Sequence, residues 1–155
     1  MSAENAPSTN PPVPYDVIVV GGGPGGSSTA MFLQQKGYNV LILEKQKYPR
    51  DKICGDAVSG KSVGMLKALG LDEEMEQIDH AKVYGLVFSS PEGKMLEIPF
   101  PVKDGEGKTK ARGYVSRRLV FDNFLFSHAK KKVDTLEQHE VKDLILDENG
   151  SVVGV

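Results

Sequence analysis

The chain has 155 residues, a formal net charge of −2 and a pI of about 5.9, so it lacks the basic surface that nucleic-acid binding requires. Its single cysteine excludes an internal disulfide and suits a reducing cytoplasm, which is where we expect the protein. No apolar run approaches the ~20 residues of a membrane-spanning helix, so any membrane contact is expected to be peripheral.

The first 14 residues differ in composition from the rest of the chain. Residues 1–14 are rich in Pro, Ser, Asn and Ala and have no apolar core. Such a segment is neither a signal peptide nor a packed element, and we predict a disordered tail.

A glycine motif follows an apolar run at residues 17–20, which is β-branched throughout and predicts a strand buried on both faces. Gly21, Gly23 and Gly26 form the pattern G-x-G-x-x-G. The first glycine permits a tight turn, the second lets a pyrophosphate approach the backbone, and the third lets a helix pack on the sheet. Free N–H groups at the start of that helix would bind the phosphates.

The elements after the glycine motif provide the context that a dinucleotide site needs. Residues 27–36 are predicted as a helix with Gly37 as its stop, and residues 40–43 as a second strand. Glu44 ends this strand 18 residues after Gly26, close to the spacing of a carboxylate that binds a ribose hydroxyl. The alternative is an acid that merely ends a strand in solvent. Because this acid would repel a 2′-phosphate, NADP is not expected here.

The middle of the chain is predicted to leave the nucleotide-binding fold. Residues 59–69 have helical periodicity, and Gly70 is their stop. Residues 83–89 and 94–98 are predicted as the two strands of a hairpin. Residues 102–113, which carry several Gly and Lys residues, are predicted as an exposed loop.

The chain is then predicted to return to the nucleotide-binding fold. Residues 114–116 are a short strand candidate, and Ser116 is predicted to cap a helix over residues 117–132. Residues 135–138 would form the third parallel strand. A plain NAD domain would reach this strand sooner, so the long excursion is more typical of flavoproteins with an inserted substrate domain.

The predicted architecture is α/β: a three-layer, Rossmann-like FAD/NAD(P)-binding fold with a parallel sheet and an inserted β-hairpin. Residues 15–80 and 113–155 would form the FAD-binding domain, and residues 81–112 the inserted strands of a substrate domain. Residues 141–146 and 151–155 are predicted as a final strand pair. Because the sequence stops within its second strand, we expect an incomplete domain.

Residues 49–56 have the sequence Pro-Arg-Asp-Lys-Ile-Cys-Gly-Asp. Together with residues 21–26, 44–45 and 118–122, this segment resembles the geranylgeranyl reductase family, a branch of the flavoproteins that include aromatic-ring hydroxylases. The Pro-Arg-x-Lys-x-Cys-Gly part is specific, whereas the whole superfamily shares the glycine motif. The matching pieces run across most of the chain.

The resemblance implies bound FAD, with its ADP half on residues 21–26 and Glu44. It implies that Arg50 and the Cys54 loop lie near the flavin, and that Arg118 faces the phosphate or adenosine side of the cofactor. The family's second flavin-binding segment, built around Gly-Asp, is expected beyond the 155 residues. The implied cofactor-binding residues are Gly21, Gly23, Pro24, Gly25, Gly26, Glu44, Lys45, Arg50, Cys54, Gly55, Asp56 and Arg118.

The activity that the resemblance implies is reduction of isolated double bonds in polyprenyl chains. The partners would be a polyprenyl lipid and an external electron donor, either NAD(P)H or a ferredoxin-like protein. Cys54 is the candidate catalytic residue; the alternative is a small loop residue without chemistry. Two other functions stay open: an FAD-dependent monooxygenase of the aromatic-hydroxylase type, and an inactive nucleotide-binding fragment.

Several of these residues also have structural interpretations. Arg118 would suit a phosphate, but it would also pair with Asp122 four residues later in the same helix. Arg117 competes with Arg118 if the register slips by one. Asp56 is expected to hold the Cys54 loop through hydrogen bonds to backbone N–H groups. The three histidines and the lone cysteine have no metal-ligand spacing, so no metal is expected.

Overall fold

The structure is a computed structural model that describes residues 15–100, 105 and 111–155. The tail predicted for residues 1–14 and most of the loop predicted for residues 102–113 lie outside the described residues. Those two predictions stay predictions.

Ten strands and four helices are found in the described residues. In chain order they are β1 (Val17–Val20), α1 (Pro24–Gln35), β2 (Val40–Glu44), β3 (Ala57–Val58), α2 (Gly60–Ala68), α3 (Asp72–Met75), β4 (Ala81–Val83), β5 (Gly85–Ser89), β6 (Met95–Pro99), β7 (Gly113–Val115), α4 (Arg118–Lys130), β8 (Asp134–Glu137), β9 (Ile145–Leu146) and β10 (Val152–Gly154).

The nucleotide-type part of the fold is a parallel sheet in the order β1-β2-β8. Its central strand, β2, is the most buried, as its unbroken run of apolar residues predicts. Helix α1 packs on this sheet and against α4. The core between them includes fully buried Ala30, Met31, Ile42, Leu125 and Ala129. The predicted α/β fold with a parallel sheet is confirmed.

The excursion between β2 and α4 is built from antiparallel strands. One sheet has the order β3-β7-β4, and the predicted hairpin is present as the pair β5-β6. The prediction of one strand over residues 83–89 is wrong, because β4 pairs with β7 whereas β5 pairs with β6. A Cβ at Gly85 would lie 2.7 Å from the Ile98 carbonyl oxygen, so only glycine fits where β5 begins. That the hairpin belongs to a substrate domain stays a prediction.

Helix α1 begins earlier than predicted, at Pro24 instead of residue 27. Proline suits this first helical position because its missing N–H would have no partner there and its φ angle is already helical. The predicted stops are confirmed, since Gly37 and Gly70 have φ angles of +89° and +70° directly after their helices.

Helix α4 also differs from its prediction at the start. Its N-cap is Arg117, and the helix begins at Arg118. Ser116 therefore does not cap it; its hydroxyl is buried and donates a 2.8 Å hydrogen bond to the Asp79 carbonyl oxygen. The cap prediction is wrong because a tertiary partner satisfies the hydroxyl.

The last strands differ from their predicted bounds: β8 has the predicted length but lies one residue earlier, and the two strands of the final hairpin are shorter. Strand β8 ends at Glu137, because Gln138 has a φ angle of +61° that leaves the extended region. Only Ile145–Leu146 and Val152–Gly154 pair in the final hairpin. No helix in the described part of the chain is both long and apolar enough to cross a bilayer.

Candidate functional site

A cleft of about 610 Å³ opens at the carboxyl ends of β1 and β2, where α/β sheets bind their ligands. Most of the predicted cofactor-binding residues line it: Gly21, Gly23, Pro24, Gly25, Gly26, Glu44, Lys45, Arg50 and Arg118. Two of these, Arg50 and Arg118, come from segments far apart in the sequence. The structure therefore brings together residues that were predicted from separate motifs.

The N-terminus of α1 faces this cleft. Gly23 is the N-cap and Pro24 follows it, with no acidic residue in the first turn. No side chain among the described residues caps this end. Backbone N–H groups at the first turn of a helix attract anions, so this end of α1 is suited to bind one.

The glycines leave room where a phosphate would approach. A Cβ at Gly26 would lie 1.8 Å from the Gly21 carbonyl oxygen, so the turn and helix could not pack this closely around any other residue. Among the described residues, a Cβ at Gly25 would meet nothing within 4 Å, and one at Gly23 would meet only Arg50 Nη2, at 3.3 Å. Side chains at Gly23 and Gly25 would therefore fill the cleft itself.

Gly22 is a structurally constrained position of the glycine turn that sequence reasoning missed. Its N–H donates to Glu44 Oε2 at 2.7 Å, and its carbonyl oxygen accepts 2.8 Å bonds from the hydroxyls of Ser27 and Tyr48. A Cβ there would lie 2.6 Å from Phe126 Cε2. No local signal could show this, because Phe126 belongs to α4, far along the chain.

Glu44 ends β2, as predicted, but it does not end in solvent. The residue is 4% exposed, and its second carboxylate oxygen accepts a 2.8 Å bond from the Gln46 N–H. The solvent alternative is therefore wrong. A carboxylate has about four acceptor positions, so the Glu44 carboxylate still has acceptors for a ribose hydroxyl in the cleft.

A buried carboxylate joins the two arginines of the cleft. Asp122 is fully buried and accepts a 2.7 Å bond from Arg50 Nη1 and bonds of 2.5 and 2.7 Å from Arg118 Nε and Nη2. The predicted pair of Arg118 with Asp122 is thus present, and Arg118 lines the cleft at the same time. The hydrogen bonds that Arg118 donates to Asp122 raise the pKa of Arg118, so its guanidinium stays charged. Arg117 instead pairs with exposed Asp79.

The model of the FAD binding domain family matches residues 14–152. The chain belongs to this family. Membership confirms the predicted FAD cofactor, and the residues present fit it. An uncapped helix N-terminus, an open glycine turn, a buried acid after the second strand and two arginines converge on one cleft.

Among curated proteins, this FAD binding domain is similar to two reductases. It is 37% identical over 105 residues to menaquinone reductase of Mycobacterium tuberculosis, across 67% of this chain and 25% of that protein. It is 32% identical over 118 residues to digeranylgeranylglycerophospholipid reductase of Methanocaldococcus jannaschii, across 76% of this chain and 27% of that protein.

Among solved structures, this FAD binding domain resembles the myxobacterial chondrochloren halogenase CndH, an FAD-dependent halogenase. The TM-score is 0.74 at 32% identity, over 88% of this chain and 31% of the halogenase. The chain thus spans less than a third of the length of each of these three proteins. The match confirms the α/β FAD-binding fold.

The Cys54 loop of the FAD binding domain lies beside the main cleft. Cys54 and Asp56 line a second cavity of about 310 Å³, which shares Pro24 and Arg118 with the main cleft. The thiol is exposed, and the backbone N–H of Asp56 and the Arg118 side chain lower the pKa of Cys54. Gly55 lines neither cavity.

Other cleft residues were not predicted as part of the site. His139 and Val141 line the cleft after β8, and the His139 N–H donates to the Glu44 carbonyl oxygen at 2.9 Å. Their position after a parallel strand was the available signal, since carboxyl ends of such strands share one edge. Within residues 15–100, 105 and 111–155, no cluster of three or more His, Cys, Asp or Glu side chains is arranged for a metal ion.

Proposed function

We propose that this chain is the FAD-binding part of an oxidoreductase that reduces C=C bonds of geranylgeranyl groups in isoprenoid lipids. The supporting observation is that residues 49–56 and 118–122, the two distant segments of the resemblance, meet at the cleft. Arg50 bonds to Asp122, and Arg118 lies beside Cys54. The relative named as a digeranylgeranylglycerophospholipid reductase supports the substrate class.

In this proposal each part of the cleft has one task in binding. The first turn of α1 and the guanidinium of Arg50 hold the pyrophosphate, because both present N–H donors beside Gly23. Glu44 accepts from the ribose, and Lys45 adds positive charge at the cleft wall. FAD, once bound, supplies the hydride-transfer chemistry that these side chains lack.

Cys54 is proposed as the catalytic residue of the site. Its thiol opens on the second cavity, and an arginine and a backbone N–H stabilise its thiolate. Gly55 and Asp56 shape this loop, and Asp56 has a φ angle of +54°. A Cys54→Ser variant is expected to lose turnover while retaining flavin; unchanged lipid reduction would make Cys54 a loop residue only.

The proposed partners are a polyprenyl lipid and an external electron donor, either NAD(P)H or a ferredoxin-like protein. The proposed location is the cytoplasm, with peripheral contact to the membrane that holds the lipid. An unactivated alkene has no polar group to recognise, so we expect shape and exclusion of water to align it.

A second candidate function is an FAD-dependent monooxygenase. The likeness to the chondrochloren halogenase, at a TM-score of 0.74 and 32% identity, favours it. The two functions differ in their need for oxygen, which the reductase would not consume.

The test uses the complete gene product that contains this chain. Its flavin is reduced without oxygen, a geranylgeranyl lipid is added, and flavin reoxidation is followed by absorbance. The reductase is expected to reoxidise promptly and to yield a lipid with two more hydrogens per reduced bond. The fully saturated lipid is the matched control. Reoxidation only after oxygen enters would contradict the reductase and favour the monooxygenase.

A further inference from the structure

We propose that Asp122 is a positioning residue that orients the guanidinium groups of Arg50 and Arg118 toward the pyrophosphate of FAD. Asp122 itself does not line the cleft, whereas both arginines do. The inference rests on the proposed placement of the pyrophosphate at the glycine turn.

The first support is that two guanidinium groups share one carboxylate through three hydrogen bonds. Asp122 Oδ2 accepts from Arg50 Nη1 and Arg118 Nη2, and Oδ1 accepts from Arg118 Nε. The Asp122 side chain is fully buried, while 13% of the Arg50 and 16% of the Arg118 side chain stay exposed. Each arginine is therefore fixed on one side and open to the cleft on the other.

The second support is the orientation of Arg50. Its Nη1 faces Asp122, and its Nη2 lies 3.3 Å from the point that a Gly23 Cβ would occupy. An arginine has five N–H donors in a rigid plane, so fixing one edge also fixes the direction of the other. Asp122 thus determines where the remaining donors of Arg50 point.

The third support is a ring that joins Arg50 to the glycine turn. The Arg50 guanidinium lies 4.9 Å from the centroid of the Tyr48 ring, and the Tyr48 hydroxyl bonds to the Gly22 carbonyl oxygen. Tyr48 in turn stacks on Phe126, with centroids 4.2 Å apart. One connected set of contacts therefore sets the distance between Arg50 and the turn.

The fourth support is the net charge of Arg50, Arg118 and Asp122. Two guanidinium groups and one carboxylate leave a net positive charge beside the N-terminus of α1, which also favours anions. Without Asp122 the two cations would repel each other, and their long side chains would regain rotamer freedom. Binding of a phosphate would then require that freedom to be lost again.

The experiment measures binding of ADP and FAD to the purified chain by calorimetry. ADP carries the pyrophosphate without the flavin, so it reports this part of the site directly. Asp122→Asn keeps the size of the side chain and removes its charge. We expect ADP binding to weaken about 10- to 100-fold, the scale of one or two charge-assisted hydrogen bonds. Glu76→Gln, which removes another paired acid away from the cleft, should leave ADP affinity unchanged.

A double-variant cycle separates positioning from a general structural role. In a chain that carries Arg50→Met and Arg118→Met, Asp122→Asn should weaken ADP binding no further. An equal loss in both backgrounds would overturn the proposal, and so would unchanged ADP affinity in folded Asp122→Asn.

Two further variants keep the test decisive. If Asp122→Asn does not fold, Arg50→Lys replaces it, because lysine cannot bond to Asp122 and face Gly23 together; retained ADP affinity would overturn the proposal. Gly23→Val tests the placement of the pyrophosphate. If this variant leaves ADP binding unchanged, the pyrophosphate does not bind at the glycine turn, and the positioning role of Asp122 fails with it. If it weakens binding while Asp122→Asn does not, only the inference on Asp122 fails.

Discussion

The N–H of Gly22 donates a 2.7 Å hydrogen bond to the Glu44 carboxylate. This bond joins the glycine turn after β1 to the end of β2, and the same carboxylate also accepts from the Gln46 N–H. Besides its proposed role at the ribose, Glu44 therefore holds the backbone of the glycine turn, where we propose that the phosphates bind. The shape of the turn thus depends on the same side chain that we propose recognises the cofactor.

Replacing Glu44 tests this double role. In Glu44→Gln one of the two backbone N–H groups would face an amide NH₂ instead of an acceptor. We expect the free energy of unfolding to fall by about 1–3 kcal/mol, the cost of a buried donor without a partner, together with weaker FAD binding. Urea unfolding checks the stability. Exposed Glu140→Gln is the matched control, and an equal effect in both variants would contradict the role of Glu44.

Gly26 is expected to tolerate no side chain. In Gly26→Ala the new Cβ would lie 1.8 Å from the Gly21 carbonyl oxygen, so backbone must move. We expect a loss of about 1–3 kcal/mol in the free energy of unfolding.

Gly64→Ala is the control for Gly26→Ala. Gly64 lies within α2, and a Cβ there would meet no atom of the described residues within 4 Å. Alanine should stabilise that helix by about 0.5–1 kcal/mol. Equal stability of the two alanine variants would show that Gly26 is not required for close packing.

The parallel sheet and the glycine turn could be predicted because their signals are local. The apolar run of β2, the glycine spacing and Glu44 all lie within one stretch, and the third strand was wrong by one residue only. The start of α4 could not be predicted, because Ser116 bonds to Asp79, a partner far away in the sequence.

The same limit applies to the candidate site. Sequence reasoning found both arginines of the cleft but took Asp122 only as a partner of Arg118. That Arg50 shares this carboxylate depends on how the Pro49 loop packs on α4. The exclusion of a side chain at Gly22 depends on Phe126 in the same way. The motifs could be recognised from the sequence, whereas the tertiary contacts between them could not.

Arg118 should control the reactivity of Cys54. The Asp56 N–H and the Arg118 side chain lower the pKa of this thiol by favouring its thiolate. In Arg118→Gln the cation is lost, so the pKa should rise and alkylation by iodoacetamide should require higher pH. The pH dependence of the alkylation rate measures this shift. Arg117→Gln is the control, and an equal shift there would contradict the contact.

Glu76 should contribute stability that depends on pH. Hydrogen bonds from Lys82 at 2.6 Å and Tyr114 at 2.5 Å lower the pKa of Glu76 below its usual 4.5. A lowered pKa in the folded state means that the unfolded chain binds the proton more tightly. The stabilisation is therefore complete above about pH 4.5 and is lost as the pH falls through the pKa of Glu76 in the folded state.

The variant Glu76→Gln should lose this dependence of stability on pH. Thermal unfolding between pH 3 and pH 6 would measure it, with exposed Glu92→Gln in the β5-β6 turn as control. A profile that keeps its slope in Glu76→Gln would assign the effect to other carboxylates.

The most direct measurement of the FAD placement is titration of the chain with FAD, compared with its Gly23→Val variant. Gly23 has φ and ψ angles of −66° and −179°, which valine adopts readily, so the variant should fold. Its side chain would enter the cleft and meet Arg50 Nη2. We expect FAD affinity to fall at least about 100-fold, with Gly64→Ala unchanged. Undiminished FAD affinity in folded Gly23→Val would contradict a pyrophosphate at this turn.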